Sequence, residues 1–277
     1  MVNMKPKWLI EDFEADNSFG DLAKEVKRQG MECEVITYLP FQSGSYDVYG
    51  DEDCVLVQGS INLVQQLQRE KKWIPGAWLT PKAFECTTYY AHLGKYLFND
   101  RYVILPRAEV ARRMDWLLKD CFGTYKQLFM RPNSGLKTFN AGLFPDLKWS
   151  SAWAWVEDYT EPESLIVIST PKVIKAEWRF VCTKDEVVTG CQYEIAGEFK
   201  RAPGYPEAAK ELAKEIASVY HPEPMFVVDI CQDADGKYAL MEIGSFSVAG
   251  LYACDTEPIV RVASELAVKE FEEYQNV

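Results

Sequence analysis

The feature that most constrains this chain is a pair of apolar runs, each broken by one acid, on either side of an Asp-Gly dipeptide. Phe226-Val227-Val228-Asp229-Ile230 and Tyr238-Ala239-Leu240-Met241-Glu242-Ile243 flank Gln232-Asp233-Ala234-Asp235-Gly236-Lys237. Asp-Gly in such a place marks a two-residue hairpin loop, because both loop positions need positive φ. With Asp235 and Gly236 as the loop, Asp229 lies directly opposite Glu242, with Cβ atoms about 4.5–5.5 Å apart. Alternation puts Val227 and Leu240 on that face and Val228, Ile230, Met241 and Ile243 on the other. Two carboxylates among apolar neighbours repel, and one takes up a proton unless something compensates them. A magnesium ion would do so, since it binds through one or two carboxylates plus substrate phosphates. A basic side chain paired with one acid, or a solvated hairpin face, would serve equally. A bulge in the turn would put the two acids on opposite faces.

The rest of the composition narrows the function classes. In 277 residues, 48% hydrophobic and 26% charged, there is enough chain for one large or two modest domains. No run approaches the roughly 18 apolar residues of a membrane helix, and Met1-Val2-Asn3-Met4-Lys5-Pro6-Lys7-Trp8 lacks a signal-peptide core. The expectation is a cytoplasmic protein without a membrane partner. Eight cysteines, at 33, 54, 86, 121, 182, 191, 231 and 254, form no C-x-x-C pair, and most sit in apolar runs. They read as reduced core thiols. Two histidines, His92 and His221, give little material for a His-built metal centre or a Ser-His-Asp triad. The net charge of −12 opposes binding to nucleic-acid backbones, so no nucleic acid is expected, and a phosphorylated substrate would need a few focused cations.

Along the chain, the first hundred residues alternate strand and helix. Lys7 to Ile10 is a strand, Asn17-Ser18 a cap, Leu22 to Arg28 a helix ended by Gly30, Cys33 to Thr37 a second strand and Cys54 to Val57 a third. Gln58-Gly59-Ser60 then leads into a helix through Leu67, a β-α-β-α pattern that suggests a small parallel sheet. Ala108 to Phe122 is a helix by its spacing of Val110, Met114, Leu117, Leu118 and Cys121. Near Tyr125 the composition changes. Strands follow at 127–130, 139–144, 165–168, 173–182 and 187–195, with helices at 150–159, 206–220 and 257–274. No linker separates the two parts, which are expected to pack tightly.

Two further stretches carry chemistry. Phe129-Met130-Arg131-Pro132-Asn133-Ser134-Gly135-Leu136-Lys137-Thr138-Phe139 has a strand ending in a cation, then a small polar turn with glycine, then lysine. Such turns bind anions through backbone N–H groups and focused positive charge. It is not a Walker A loop, and an ordinary hairpin turn reads the same way. Glu177-Trp178-Arg179-Phe180-Val181 is a strand with Glu177 and Arg179 on one face. Arginine there suits planar contact with a carboxylate or phosphate, or simply an exposed charged face.

Taken in this order and spacing, these stretches resemble the ATP-grasp superfamily. More narrowly they are similar to its clade of small stand-alone members named for two arginines and a lysine, which would be Arg131, Arg179 and Lys137. Glu242-Ile243-Gly244-Ser245-Phe246-Ser247-Val248-Ala249-Gly250-Leu251 also resembles that clade's final strand and loop. The resemblance implies an α+β fold, two antiparallel α+β subdomains clasping ATP, preceded by a small α/β N-terminal domain at 1–124. The ATP-grasp domain would cover 125–277, its lid about 125–170 and its metal-binding subdomain about 171–277.

What the family does is then an expectation for this chain. ATP and Mg²⁺ are the implied cofactors, with Asp229 and Glu242 holding the metal. Arg131, Gly135 and Lys137 would lie over the phosphates, Ile168 and Ser169 beside the adenine, and Glu177 in the nucleotide pocket. Arg179 and Lys137 would be catalytic, in an amide- or peptide-forming ligation of a small-molecule, amino-acid or peptide carboxylate to an amine through an acyl phosphate. Glu242→Gln and Arg179→Ala are expected to abolish turnover and leave the fold intact. The superfamily's Glu-x-Asn is Glu242-x-Gly244 here, which puts a second metal in doubt. A small-molecule kinase or a nucleotide-binding module without turnover remains the alternative, and a homodimer is allowed for. An adenylylating nucleic-acid ligase would need a Lys-x-Asp-Gly nucleophile, which is missing. Arg101, Arg201 and Tyr193 are candidate substrate contacts.

Overall fold

The structure is a computed structural model and describes residues 4–12, 18–39, 46–145 and 151–276. Asn17 of the expected first cap and Ser150 of the expected aromatic helix lie outside the described residues.

The N-terminal unit is a parallel sheet in the order β2-β1-β3-β4, built from β1 (Lys7–Glu11), β2 (Cys33–Ile36), β3 (Cys54–Gln58) and β4 (Ile74–Gly76). Trp8, Leu9 and Ile10 are wholly buried, as are Val55, Leu56 and Val57. Continuous apolar runs of this kind belong to parallel strands covered on both faces. Helix α1 (Ser18–Arg28) packs over one face of this sheet, and α2 (Ile61–Glu70) supplies Leu63, Val64 and Leu67 to the core on its other face. Ser60 caps α2 by accepting from Leu63 N at 3.2 Å, which satisfies one of the orphan donors of a helix start. The last helix of the chain, α7 (Thr256–Gln275), returns to the same face as α1, where Ile259, Val260, Ala263, Ala267 and Phe271 share a core with Trp8, Ile10 and Leu56. The two ends of the chain are therefore one packed body, as expected.

Helix α3 (Cys86–Leu93) leads to a four-stranded antiparallel sheet in the order β5-β8-β6-β7, made of β5 (Tyr102–Pro106), β6 (Leu128–Pro132), β7 (Gly142–Phe144) and β8 (Leu165–Ser169). Helices α4 (Arg107–Trp116) and α5 (Ser151–Tyr159) cover its outer face with Val110, Met114, Trp153 and Val156. The single helix expected over 108–122 is two pieces, because α4 passes into a π-helical turn at Leu117–Cys121. β5 and α4 belong to this small sheet although both precede residue 125, so the change of composition there falls inside a packed unit.

The large antiparallel sheet runs β11-β10-β9-β12-β13, from β9 (Ile174–Cys182), β10 (Val187–Ile195), β11 (Glu198–Pro203), β12 (Phe226–Asp233) and β13 (Tyr238–Ser245). Its one face, with Trp178, Phe180, Val228 and Ile230, is buried under α3 and α6 (Glu207–Val219). The other face carries the charged residues. The expected architecture, two antiparallel α+β units behind a parallel α/β unit, is what the chain adopts.

Candidate functional site

The site begins at the β12–β13 hairpin. Its loop holds three residues rather than two. Gly236 N donates to Asp233 O at 3.1 Å, Asp233 N donates to Lys237 O at 2.9 Å, and Gly236 alone of the loop has positive φ, +85°. The Asp233 carboxylate holds the turn by accepting from Asp235 N and Lys237 N, each at 2.8 Å. A three-residue loop by itself would shift the register by one. A bulge at Met241–Glu242 shifts it back, so Ile230 pairs with Leu240 while Asp229 pairs with Glu242. Two departures from the simple hairpin cancel, and the expected opposition of the two acids stands. The bulge also turns Leu240 away from the carboxylates into the core with Val228, Ile230 and Ile243, against expectation. Bulges re-aim side chains in this way.

Across four neighbouring strands the register aligns Cys191, Arg179, Asp229 and Glu242 in one row. Arg179 grips Asp229 with two bonds, Nε to Oδ1 at 2.9 Å and Nη2 to Oδ2 at 2.6 Å, while Nη1 donates to Gly250 O at 2.8 Å. This bidentate pair is almost wholly buried. Burial pushes the Asp229 carboxyl up, and the Arg179 charge opposes it. Glu242 is served from the small sheet: Arg131 Nη2 donates to its Oε2 at 2.8 Å, and Lys137 Nζ stands 3.6 Å from Oε1. Burial raises this carboxyl too, but Arg131, Lys137 and Arg179 outweigh it and bring it down to about 2. The repulsion foreseen between the acids is thus relieved by basic side chains.

Arg131, Gly135, Lys137, Arg179 and Glu242 line one cleft of about 450 Å³, joined by Ile61 from the N-terminal unit and by Gly250 and Tyr252. Asp229 sits beneath its floor. Gly135 is required by packing: a Cβ there would lie 2.7 Å from Phe84 Cβ and 3.2 Å from Phe84 O. Lys137 is the loop residue with positive φ, +51°. A Cβ on Gly244 would come within 3.2 Å of Val227 Cγ2, so the missing asparagine is replaced by tight packing on the paired strand.

The remaining expected residues divide. Ser169 is wholly buried with its Oγ unpartnered, and so is the Nε of Arg131. Register puts Ser169 beside Phe129 and Val167 beside Arg131, on the inner face of the small sheet. Ile168 alternates to the outer face, in the core under α4 and α5, so its side chain cannot reach the cleft. Glu177 is buried and accepts from the Tyr193 hydroxyl; desolvation pushes its carboxyl up to about 8. Tyr193 stacks on Tyr252 at 5.0 Å, and the exposed Arg201 guanidinium lies 5.2 Å from the Tyr252 ring. Arg101 is exposed, acts on the Cys121 thiol, and is absent from the described lining of the cleft.

Sequence reasoning missed Gly250 and Tyr252 as partners of Arg179, whose Cζ lies 4.6 Å from the Tyr252 ring. Tyr252 has φ +53°, a conformation no local residue pattern announces.

A family model for an ATP-grasp domain, family 2 of the clade named for two arginines and a lysine, matches residues 106–262, more than half of the chain. No curated relative matches. Among solved structures, the chain is similar to D-cycloserine synthetase DcsG, at 12% identity and TM-score 0.60, covering 94% of this chain and 99% of that one. It is similar to a RimK domain protein ATP-grasp from Sphaerobacter thermophilus DSM 20745, at 12% identity and TM-score 0.57, covering 92% and 98%. It is also similar to the ATP-grasp ligase PsnB complexed with minimal precursor, Mg, and ADP, at 13% identity and TM-score 0.54, covering 98% and 100%. At these identities the likeness is one of fold.

Proposed function

The chain belongs to family 2 of the two-arginine, one-lysine clade of ATP-grasp domains, and from that premise we propose that it is an ATP- and Mg-dependent ligase joining a carboxylate to an amine. The observation that carries the reading is the convergence of Arg131, Lys137 and Arg179 on Asp229 and Glu242, with Arg131 and Lys137 reaching across from the small-sheet side and Arg179 holding Asp229 from the neighbouring strand. Three cations against two carboxylates leave positive charge in the cleft of an acidic chain, and that suits a polyphosphate.

The residues fit the proposed ligands. The unpartnered Ser169 Oγ and Arg131 Nε are polar groups on the inner face of the small sheet that a nucleotide would satisfy, Ser169 only once the sheets part. Among the described residues no group of three or more His, Cys, Asp and Glu could hold a metal, so a magnesium ion here would need its other ligands from phosphates and water. Glu242, 24% exposed in its side chain, offers Oε1 with only a loose Lys137 contact, while both Asp229 oxygens are engaged by Arg179. Glu242 would therefore be the principal ligand of a bound Mg²⁺, and Asp229, buried and gripped by Arg179, at most a secondary one. Bound Mg²⁺ would offset the charge of the β- and γ-phosphates.

In the proposed reaction the substrate carboxylate attacks the γ-phosphorus, releasing ADP and leaving an acyl phosphate. The amine then attacks the carbonyl carbon, giving the amide and releasing phosphate. Arg131 and Lys137 neutralise the phosphates from the lid side and Arg179 from below, where charge develops. The lid excludes water, which would hydrolyse the acyl phosphate.

The test is ADP release from Mg-ATP with paired amino acids and short peptides, the products identified by mass. Glu242→Gln and Arg179→Lys are expected to lower turnover by about a hundredfold or more. Arg179→Ala is the wrong probe, because it leaves Asp229 buried without its partner. Amine-independent ADP release with a phosphorylated product would replace the ligase reading by a kinase one.

A further inference from the structure

All eight cysteines are unbridged, yet two of them have their sulfurs in contact. Cys254 Sγ lies 3.4 Å from Cys191 Sγ, and both residues are buried. Cys191 sits on β10 directly opposite Arg179, and Cys254 Sγ lies 4.0 Å from Arg179 O. We propose that Cys191 and Cys254 are a covalent modification site, forming a reversible disulfide with a peroxide oxidant and thereby clamping the loop that holds Arg179.

The geometry supplies the chemistry. Cys254 donates to Cys191, and the Arg179 guanidinium is near, so the Cys191 thiol is drawn down while that of Cys254 is pushed up. A thiolate stabilised by a neighbouring thiol and an arginine is the reactive form. Cys191 sulfur attacks one peroxide oxygen, breaking the O–O bond, and becomes a sulfenic acid as hydroxide leaves. Cys254 sulfur then attacks the sulfenic sulfur, the S–S bond forms and the S–O bond breaks. Two thiols and one hydrogen peroxide give one disulfide and two waters. Such bonds in reducing compartments are transient and serve redox sensing.

The consequence follows from which partner can move. Cys191 is held in β10 between β9 and β11, whereas Cys254 lies in the loop just before α7. A bond of about 2.05 Å must close the present 3.4 Å gap, and whatever backbone movement accompanies it falls to the loop, since β10 is held on both sides. The same loop carries Gly250 O, which accepts from Arg179 Nη1 at 2.8 Å, and the Tyr252 ring beside the guanidinium. Oxidation thus shifts the groups that orient Arg179. Its effect on nucleotide binding rests on the ligase reading above; the bond itself does not.

The test treats reduced full-length protein with hydrogen peroxide and follows intact mass, peptide maps and titration with Mg-AMPPNP. Expected are a loss of two hydrogens, a peptide joining Cys191 to Cys254, reversal by dithiothreitol, and an affinity changed about fivefold or more. Cys254→Ser and Cys191→Ser should each lose both the link and the affinity change. Folded, oxidised protein with these two cysteines unlinked overturns the proposal, as does a linked protein of unchanged affinity. Reduced protein that binds no Mg-AMPPNP overturns the ATP reading instead, while the mass still decides the disulfide.

Discussion

The two acids of the site have the same chemistry and different neighbours. Asp229 is held from within its own sheet by Arg179 on the adjacent strand, with both side chains almost fully buried. Glu242 is held from the other sheet, by Arg131 on β6 and Lys137 on the loop beyond it, and its side chain keeps 24% of its surface. The first pair is placed by the register of β9 against β12. The second bridges the two antiparallel sheets and would part if the small sheet lifted. One contact builds the floor of the cleft, and in the proposed ligase the other would be a latch on its lid.

That contrast breaks most visibly at Arg179. Arg179→Ala leaves a buried carboxylate without its partner, and losses of this kind run to about 3–5 kcal/mol. The prediction is a stability loss in that range by urea unfolding, with Arg179→Lys recovering part of it. A loss below about 1 kcal/mol would mean that Asp229 can find water, and the floor would be no floor.

Arg131→Ala should be milder for the fold. Glu242 retains Lys137 and its access to solvent, so the expected loss is about 1.5–3 kcal/mol, typical of a hydrogen bond to a charged group. Nucleotide affinity should suffer more than stability does, because the variant removes a cation that faces the cleft. An Arg131→Ala variant as unstable as Arg179→Ala would make the latch part of the core and erase the distinction.

The sequence made much of this legible, for reasons that can be traced. Parallel strands announce themselves as unbroken apolar runs, as at Trp8-Leu9-Ile10, and the acid pair was visible because period-two alternation singles out two carboxylates in apolar strands. What failed was local irregularity. The three-residue loop and the bulge at Met241–Glu242 cancelled for the acids and not for Leu240, which changed face. β5 went unseen because Tyr102–Pro106 ends in proline and is only half-buried, and it pairs with a strand far along the chain. The basic partners of the acids were named as phosphate ligands. That they hold each other depends on contacts between β9 and β12 and between the two sheets, and pairings of that range leave no mark in local periodicity.

The smallest predicted effect concerns a third carboxylate on the same face, and it sharpens the contrast. Glu177 faces Tyr193, a phenol, where Asp229 and Glu242 face guanidinium groups. Desolvation, opposed by only that one hydrogen bond and reinforced by Glu194 and Asp229, raises its carboxyl from 4.5 to about 8. Between those two values the folded state binds the extra proton, so this group makes stability fall as pH rises, and the penalty is complete above about pH 8. Glu177→Gln removes the titration while keeping an uncharged side chain of similar shape. The variant should match wild type near pH 4.5 and become the more stable of the two as pH rises towards 8, read as the difference in urea midpoints across that range. If the difference stays flat, Glu177 is already ionised at low pH, which requires a cation beside it, and the division of this face into paired acids and an unpaired one would be wrong.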